Sequence, residues 1–349
     1  MQREHNKRFK ISSSNRFAQR IKNNFFSSPV DCIITLSLTV VIVFTLISIF
    51  NWILFQADWN IVRQNIPTYF FGIYPENERW RPTLLLIILL ILIIPLLIRF
   101  ESKYLASILK PAWIILLPFG LILLAGGFGL TPVPTRNWGG LILTFTLTLF
   151  SSLISLPLGI ILAFGRQSNL RIINKICSTY IDVMRAFPLI TVLFFGQLLI
   201  PLFLPMEVEI NRVTRAILAF SLFTSAYIAE DIRGGIQSVP STQKEASLAL
   251  GFSKRQTMQI IILPQALRTA LPALTNQSIG LLQNTSLMAI LGLVELMGIG
   301  RSLLADPQFI GRYLELYIWL AFVYWIICTI LALLSRQLET KLNSNIISK

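Results

Sequence analysis

From Leu84 to Leu97 the chain reads L-L-L-I-I-L-L-I-L-I-I-P-L-L, without one polar side chain. A stretch that is apolar all round has no face to give to water, so it folds only inside lipid or deep in a large protein. Comparable runs recur along all 349 residues, of which 54% are hydrophobic and 13% charged, with a mean hydropathy of +0.68. About 20 apolar residues cross a bilayer, and hydrocarbon forces every backbone group to be satisfied within its own segment. The expected fold class is therefore an all-α membrane protein of about eight transmembrane helices. They fall near 32–55, 82–98, 111–130, 138–164, 187–205, 213–230, 269–292 and 314–335.

The net charge of +14 is explained by topology. With the N-terminus inside, 22 of the 30 basic residues lie on the inner side and 8 on the outer, while the 16 acids split evenly. The whole excess sits on one side, as the positive-inside rule requires. Both termini are then cytoplasmic, and nucleic-acid binding is not implied. The basic tail, residues 1–30, reads as topogenic, with a contact to anionic lipid as the alternative. No cleavable signal peptide is apparent. Cys32, Cys177 and Cys328 lie in or beside apolar segments without paired spacing, which suits small buried hydrophobes and no disulfide or metal framework. His5 is the single histidine, so histidine chemistry is not expected.

The loop Gln56–Arg81 carries Trp59, Tyr69, Phe70, Phe71, Tyr74 and Trp80 among charges, the composition of a segment lying at the membrane surface. The first three spans read as a peripheral support. From Gly139 onward the spans hold Thr144, Thr146, Thr148, Ser151, Ser152, Ser155 and Gly159, small and hydroxylated residues that let helices approach closely. Asn284, Thr285 and Ser286 interrupt the seventh span. A broken helix at that depth exposes backbone groups able to meet a substrate, and interhelical hydrogen bonding is the other reading.

Between the sixth and seventh spans lies a polar stretch, Gly234–Arg268, with the local signals of two short helices at an angle. Pro240 ends an extended piece. Thr242 and Glu245 form a capping box for the first helix, and Gly251 suits the left-handed position that closes it. Ser253 and Gln256 repeat the box for a second helix, which runs to Leu263 before Pro264. No GxxxxGK[ST], HExxH, CxxC or GxSxG occurs, and no ionisable residue falls in the middle of a span. Any active transport must then draw its energy from another subunit. No buried carboxylate or arginine is expected to face the middle.

E-A-S-L-A-L-G, nine residues, then I-I-L-P resembles the EAA loop of ABC importer permeases, matching at Glu245, Ala246, Gly251, Ile261, Leu263 and Pro264. Ser247 departs from the second Ala. Ser225–Pro240, L-P-Q-A-L-R at Leu263–Arg268 and N-T-S-L at Asn284–Leu287 resemble the polar amino-acid branch. W-N-I-V-R-Q-N and G-I-Y-P-E-N-E-R-W-R, at 59–65 and 72–81, resemble the longer permeases of general L-amino-acid uptake. R-A-F-P-L at Arg185–Leu189 departs from the more usual R-G-T-P-L.

The resemblance implies a type I importer, with a core of five C-terminal helices plus three N-terminal ones. The parts would be a basic tail (1–30), a three-helix extension (31–137), a permease core (138–336) with its coupling loop (234–268), and a tail (337–349). The chain would take up L-amino acids across a prokaryotic inner membrane with no cofactor and no ATPase site of its own. ATP and Mg would be bound by partner ATPase subunits. A second permease subunit, of a different chain on the longer resemblance, and a periplasmic amino-acid-binding protein complete the partners. Glu245, Ala246, Gly251, Ile261, Leu263 and Pro264 would couple to the ATPase, and Asn284, Thr285 and Ser286 would line the path. A passive channel or structural membrane subunit is the alternative, and it gives the loop no purpose.

Overall fold

The computed structural model describes residues 24–97, 118–205 and 208–347. The chain divides into two compact units meeting at Trp59 and Asn60. In the first unit, Ser28 caps helix α1 (Pro29–Asn51) by accepting from the Asp31 N–H at 3.1 Å. Pro29 sits in the first turn, where its missing N–H costs nothing. No residue of α1 is buried. A wide turn, Trp52–Gln56, extends it, and the Trp59 indole donates back to the Ile53 carbonyl at 3.1 Å.

The second unit opens with two short helices, α2 (Asn60–Arg63) and α3 (Ile66–Phe71), followed by α4 (Trp80–Leu97) and a helix α5 described at 118–125. Two aromatics of the loop before α4, expected to lie at the membrane surface, pack inward. Tyr69 and Tyr74 are both 1% exposed. The Tyr74 hydroxyl donates to the Leu124 carbonyl at 2.8 Å, and Tyr69 meets Trp319 edge to face. Composition could not separate the two outcomes, because an amphipathic ring suits a wet interface and a hydrogen-bonded core equally well. Arg81, also buried, holds the start of α4 to the turn after α5, donating to the Thr131 carbonyl at 2.8 Å and pairing with Glu78 at 2.7 Å. Residues 111–117 of the third expected span, and 1–23 of the basic tail, lie outside the described residues.

The rest is built on α6 (Gly140–Arg166), α7 (Arg171–Ala186), α8 (Leu189–Phe194), α9 (Arg212–Ser238), α10 (Ser241–Ala249), α11 (Lys254–Gln256), α12 (Leu263–Asn284), α13 (Leu296–Leu303) and α14 (Tyr313–Ile347). Helices α6 and α9 run side by side in the same direction. Ser151 and Ser221 cross-bond near their middles, and Arg166 meets Glu230 near their ends. Helix α12 returns antiparallel to α9, and α14 antiparallel to α12, joined by a Thr275–Ser335 hydrogen bond of 2.6 Å. One core cluster centres on Leu143, Leu147, Leu193, Phe220 and Met288, and a second on Ala163, Ile181, Ile228, Ala229 and Ile232.

Of the small residues read from the sequence, Gly159 lets α6 and α9 close, since a Cβ there would stand 2.8 Å from the Ile228 Cβ. Gly235 does the same between α9 and α12. A Cβ on Gly235 would stand 2.4 Å from the Ala266 carbonyl oxygen, so α9 and α12 touch there only because the side chain is absent.

Among the described residues, α1 with its wide turn, α6 and α14 are each long and apolar enough to cross a membrane; α7 and 189–203 reach that length and apolarity only when taken together, across the bend between them. The fifth expected span is one continuous helical piece, Leu189–Phe203, in which α8 passes through a wide turn, Phe195–Leu199, into a tight one, Ile200–Phe203. The chain bends by 106° just before it, at Phe187–Pro188. Pro188 biases Phe187 away from helical geometry and caps α8. Cys32, Cys177 and Cys328, expected as small buried hydrophobes, are half-buried.

Candidate coupling elbow and substrate cavity

The polar stretch after the sixth span is a helix–turn–helix elbow, with three differences from its expected form. First, the segment before Pro240 is not extended, because α9 continues to Ser238. Second, the Thr242–Glu245 capping box is absent. Helix α10 starts two residues earlier, at Ser241, with Pro240 in the cap position and no side-chain cap. Proline already presents extended backbone there, so the helix begins before Thr242 can act as a cap. Glu245 is exposed. Third, the chain does not stop at Pro264. Helix α11 runs through a wide turn, Thr257–Ile262, straight into α12, with Pro264 in its first turn. A widened turn moves the preceding carbonyls away from the proline ring and needs no N–H from it.

The other local signals appear in the structure. Gly251 has φ +85°, its N–H bonds to the Leu248 carbonyl, and the Phe252 N–H bonds to that of Ser247. That pair is a Schellman closure. Ser253 and Gln256 form the second box reciprocally, at 3.3 and 2.9 Å. Ser247, the one departure from the EAA pattern, is buried. It donates to the Lys244 carbonyl at 2.8 Å and meets the Thr257 hydroxyl at 3.0 Å, which ties α10 to the wide turn. The matched residues therefore divide by role. Ile261 and Leu263 are half-buried and anchor the elbow, whereas Glu245, Ala246, Gly251 and Pro264 are exposed, beside exposed Leu248 and Leu250.

Between α9 and α12 lies a cavity of about 310 Å³, within the range of small-molecule sites. Phe220, Phe223, Tyr227 and Leu281 form its apolar walls, and Thr224, Gln277 and Asn284 are its polar groups. Of the three path residues expected from the sequence, only Asn284 lines it. The helix does break where expected, into a tight turn, Thr285–Ala289. The two hydroxyls, however, turn back on their own helix: Thr285 donates to the Leu282 carbonyl at 2.7 Å and Ser286 to that of Gln283 at 2.8 Å. This is the usual local bond of a helical hydroxyl, and the buried Thr285 also meets the Tyr324 hydroxyl of α14. Thr224, Tyr227 and Gln277 were not singled out, although 220, 223, 224 and 227 recur at helical spacing on one face of α9.

At the elbow end of the cavity sits an ionic cluster. Glu230 pairs with Arg233 at 2.8 Å, Arg166 at 3.2 Å and Arg185 at 3.4 Å, and Arg166 also reaches Asp182 at 2.8 Å. Arg185, from the departing R-A-F-P-L, stacks its guanidinium over the Tyr227 ring at 5.6 Å. Asp231 accepts from Gln277 at 3.1 Å.

At the far end, outside the expected spans, Glu295 is a buried carboxylate that was not read from the sequence. It has no exposed surface. It accepts from the Met297 and Gly298 N–H groups at 2.9 Å each, from the Tyr324 hydroxyl at 3.2 Å and from Thr144 at 3.4 Å. It therefore caps α13 while gathering α6 and α14. Burial outweighs the four donors and pushes its carboxyl up to about 7. Glutamate is not a favoured cap residue, so sequence offered little signal for it.

The comparisons place this arrangement among known proteins. Residues 155–344 match the family described as binding-protein-dependent transport system inner membrane component. The chain is 34% identical to the inner membrane amino-acid ABC transporter permease protein YhdY of Escherichia coli (strain K12), with 95% of both chains covered. It is 38% identical to the glutamate/glutamine/aspartate/asparagine transport system permease protein BztC of Rhodobacter capsulatus, over 61% of this chain and 49% of that one. Among solved structures it is similar to an amino acid ABC transporter crystallised with histidines, at 31% identity and a TM-score of 0.53, covering 58% of this chain and 92% of that one. The chain thus belongs to the family of inner membrane components of binding-protein-dependent transport systems.

Proposed function

We propose that this chain is the permease subunit of an ABC importer for L-amino acids, energised by a separate ATPase that binds ATP and Mg and docks on the elbow. One observation carries the reading. The exposed helix α10 follows α9 through Val239–Pro240 and leads, through its Schellman turn, α11 and the wide turn, into α12, so it joins the two helices that wall the cavity. A push on α10 is delivered to both walls. A passive channel would have no use for that linkage.

On this reading the elbow end is cytoplasmic, as the charge distribution supports, and both termini are inside. A binding protein delivers amino acid at the far end, and a second permease subunit, expected to be a different chain, completes the path. Asn284, Thr224 and Gln277 offer neutral hydrogen bonds to a zwitterion, while the charges at the cavity base are largely paired with one another. Such a lining sets no demand for one side-chain charge, which supports broad amino-acid specificity. Within the second unit, residues 60–97 and 118–138 buttress the core rather than moving with it.

The complex reconstituted in vesicles tests this. Uptake of labelled amino acid should require ATP, and competition with acidic, basic and neutral amino acids gives the range. ATP hydrolysis by the purified chain without an ATPase partner would contradict the reading. A second test fills the cavity. A Cβ on Gly280 meets nothing within 4 Å, so Gly280→Phe can enter the cavity without straining the fold. Uptake should fall by at least about tenfold, at unchanged thermal stability, from lost room for substrate. Unimpaired uptake by Gly280→Phe would move the path elsewhere.

A further inference from the structure

Helix α7 has three distinct faces. One packs on the bundle: Ile181 is fully buried, Asn174 donates to the Arg166 carbonyl, and the Tyr180 hydroxyl donates to that of Leu222 at 2.8 Å. Opposite it, Ile172, Ile176 and Val183 fall on one strip and are 76%, 65% and 44% exposed. Between the two faces, on one flank, stand exposed Arg171 and Lys175, one turn apart. Neither makes an ion pair among the described residues, whereas Arg166, Arg185 and Arg233 nearby are all held by Glu230.

Direction matters as much as composition. The chain bends by 106° between α7 and the apolar segment 189–203, so α7 lies nearly across that segment. It crosses the bundle at the level of Glu230, to which Arg166 and Arg185 both reach. Beyond that level α9 continues eight residues, roughly 12 Å at 1.5 Å per residue, before the elbow begins. A helix lying across the spans at that depth, with an apolar strip turned outward and two unpaired cations on one flank, has the geometry of an interfacial helix.

We infer that α7 is an anionic-lipid site: Ile172, Ile176 and Val183 enter the acyl boundary of the inner leaflet while Arg171 and Lys175 bind lipid phosphate. Charge complementarity chooses this occupant. A protein surface covering the strip would leave the two cations to find carboxylates of their own, whereas the inner leaflet supplies anions along the whole helix. The inference rests on the inward placement of the elbow end and not on amino-acid transport, so it stands or falls on lipid readouts alone.

The full chain, with its partner subunits, is placed in lipid discs of phosphatidylcholine with and without phosphatidylglycerol. Spin-labelled phosphatidylglycerol should associate in preference to spin-labelled phosphatidylcholine. The double variant Arg171→Gln/Lys175→Gln should lower that preference about tenfold, within what two surface charges supply. In a cysteine-free background, a fluorophore on Ile176→Cys should be quenched by lipid carrying a quencher near its headgroup. Absence of quenching in the assembled complex would mean that a polypeptide, such as the second permease, covers the strip, and would overturn the inference. Quenching with an unchanged lipid preference in the double variant would overturn the assignment of the two cations.

Discussion

Gly251→Asp should abolish uptake while leaving the protein inserted and folded. Gly251 has φ +85° and closes α10, yet a Cβ built on it meets nothing within 4 Å. The folding cost is then only the left-handed backbone, about 1 kcal/mol, and aspartate is among the side chains that tolerate it. What changes is the exposed surface. An aspartate adds bulk and negative charge on the face that carries Glu245, Ala246 and Leu250, where an ATPase groove would have to approach closely. If about 3 kcal/mol of coupling is lost, uptake falls by about a hundredfold. The measurement is ATP-driven uptake into vesicles alongside the thermal midpoint of the purified protein, with Gly251→Ala as a control that shares the backbone strain. Near-normal uptake by the aspartate variant would remove the elbow from energy coupling.

The second large effect is expected at Glu295. Glu295→Ala leaves the Met297 and Gly298 N–H groups and the Tyr324 hydroxyl without their acceptor in a buried site, a loss of about 3 kcal/mol. The pH dependence has a definite sign. The carboxyl is raised from 4.5 to about 7 in the folded protein. The folded state therefore holds the proton more tightly than the unfolded one, and stability falls as pH rises through that window. Between pH 5.5 and 8 the loss is about 2 kcal/mol, at about 1.36 kcal/mol per pH unit across the part of the window covered. Thermal unfolding of the wild-type protein should shift down accordingly, while Glu295→Gln, with nothing to titrate, should lose that component. An equal pH response in both proteins would show that Glu295 is not the group responsible.

The two sites differ in how far they could be read from the chain. The elbow was legible because its determinants are local: Gly251 needs a left-handed backbone, and Ser253 finds Gln256 three residues away. Even there, reading failed where two local rules competed. Proline at 240 pre-empted the cap expected of Thr242, and a wide turn absorbed Pro264 where a helix end was expected. The cavity was legible only at Asn284. Thr285 and Ser286 looked equally polar, and which way a hydroxyl turns depends on what faces it across the bundle.

By itself the sequence determined that the chain is an all-helical membrane protein and where one polar elbow interrupts the later helices. Those follow from transfer free energies and short-range backbone rules that act within a few residues. The tertiary structure decided what no local rule can reach. Thr144 meets Glu295 across 151 residues, and Tyr74 meets Leu124 across 50. It also set α7 across the apolar segment that follows it and joined both ends of the elbow to the walls of one cavity. In hydrocarbon a buried polar group must find a partner wherever the packing offers one. That partner is chosen by the arrangement of helices, not by their order in the chain.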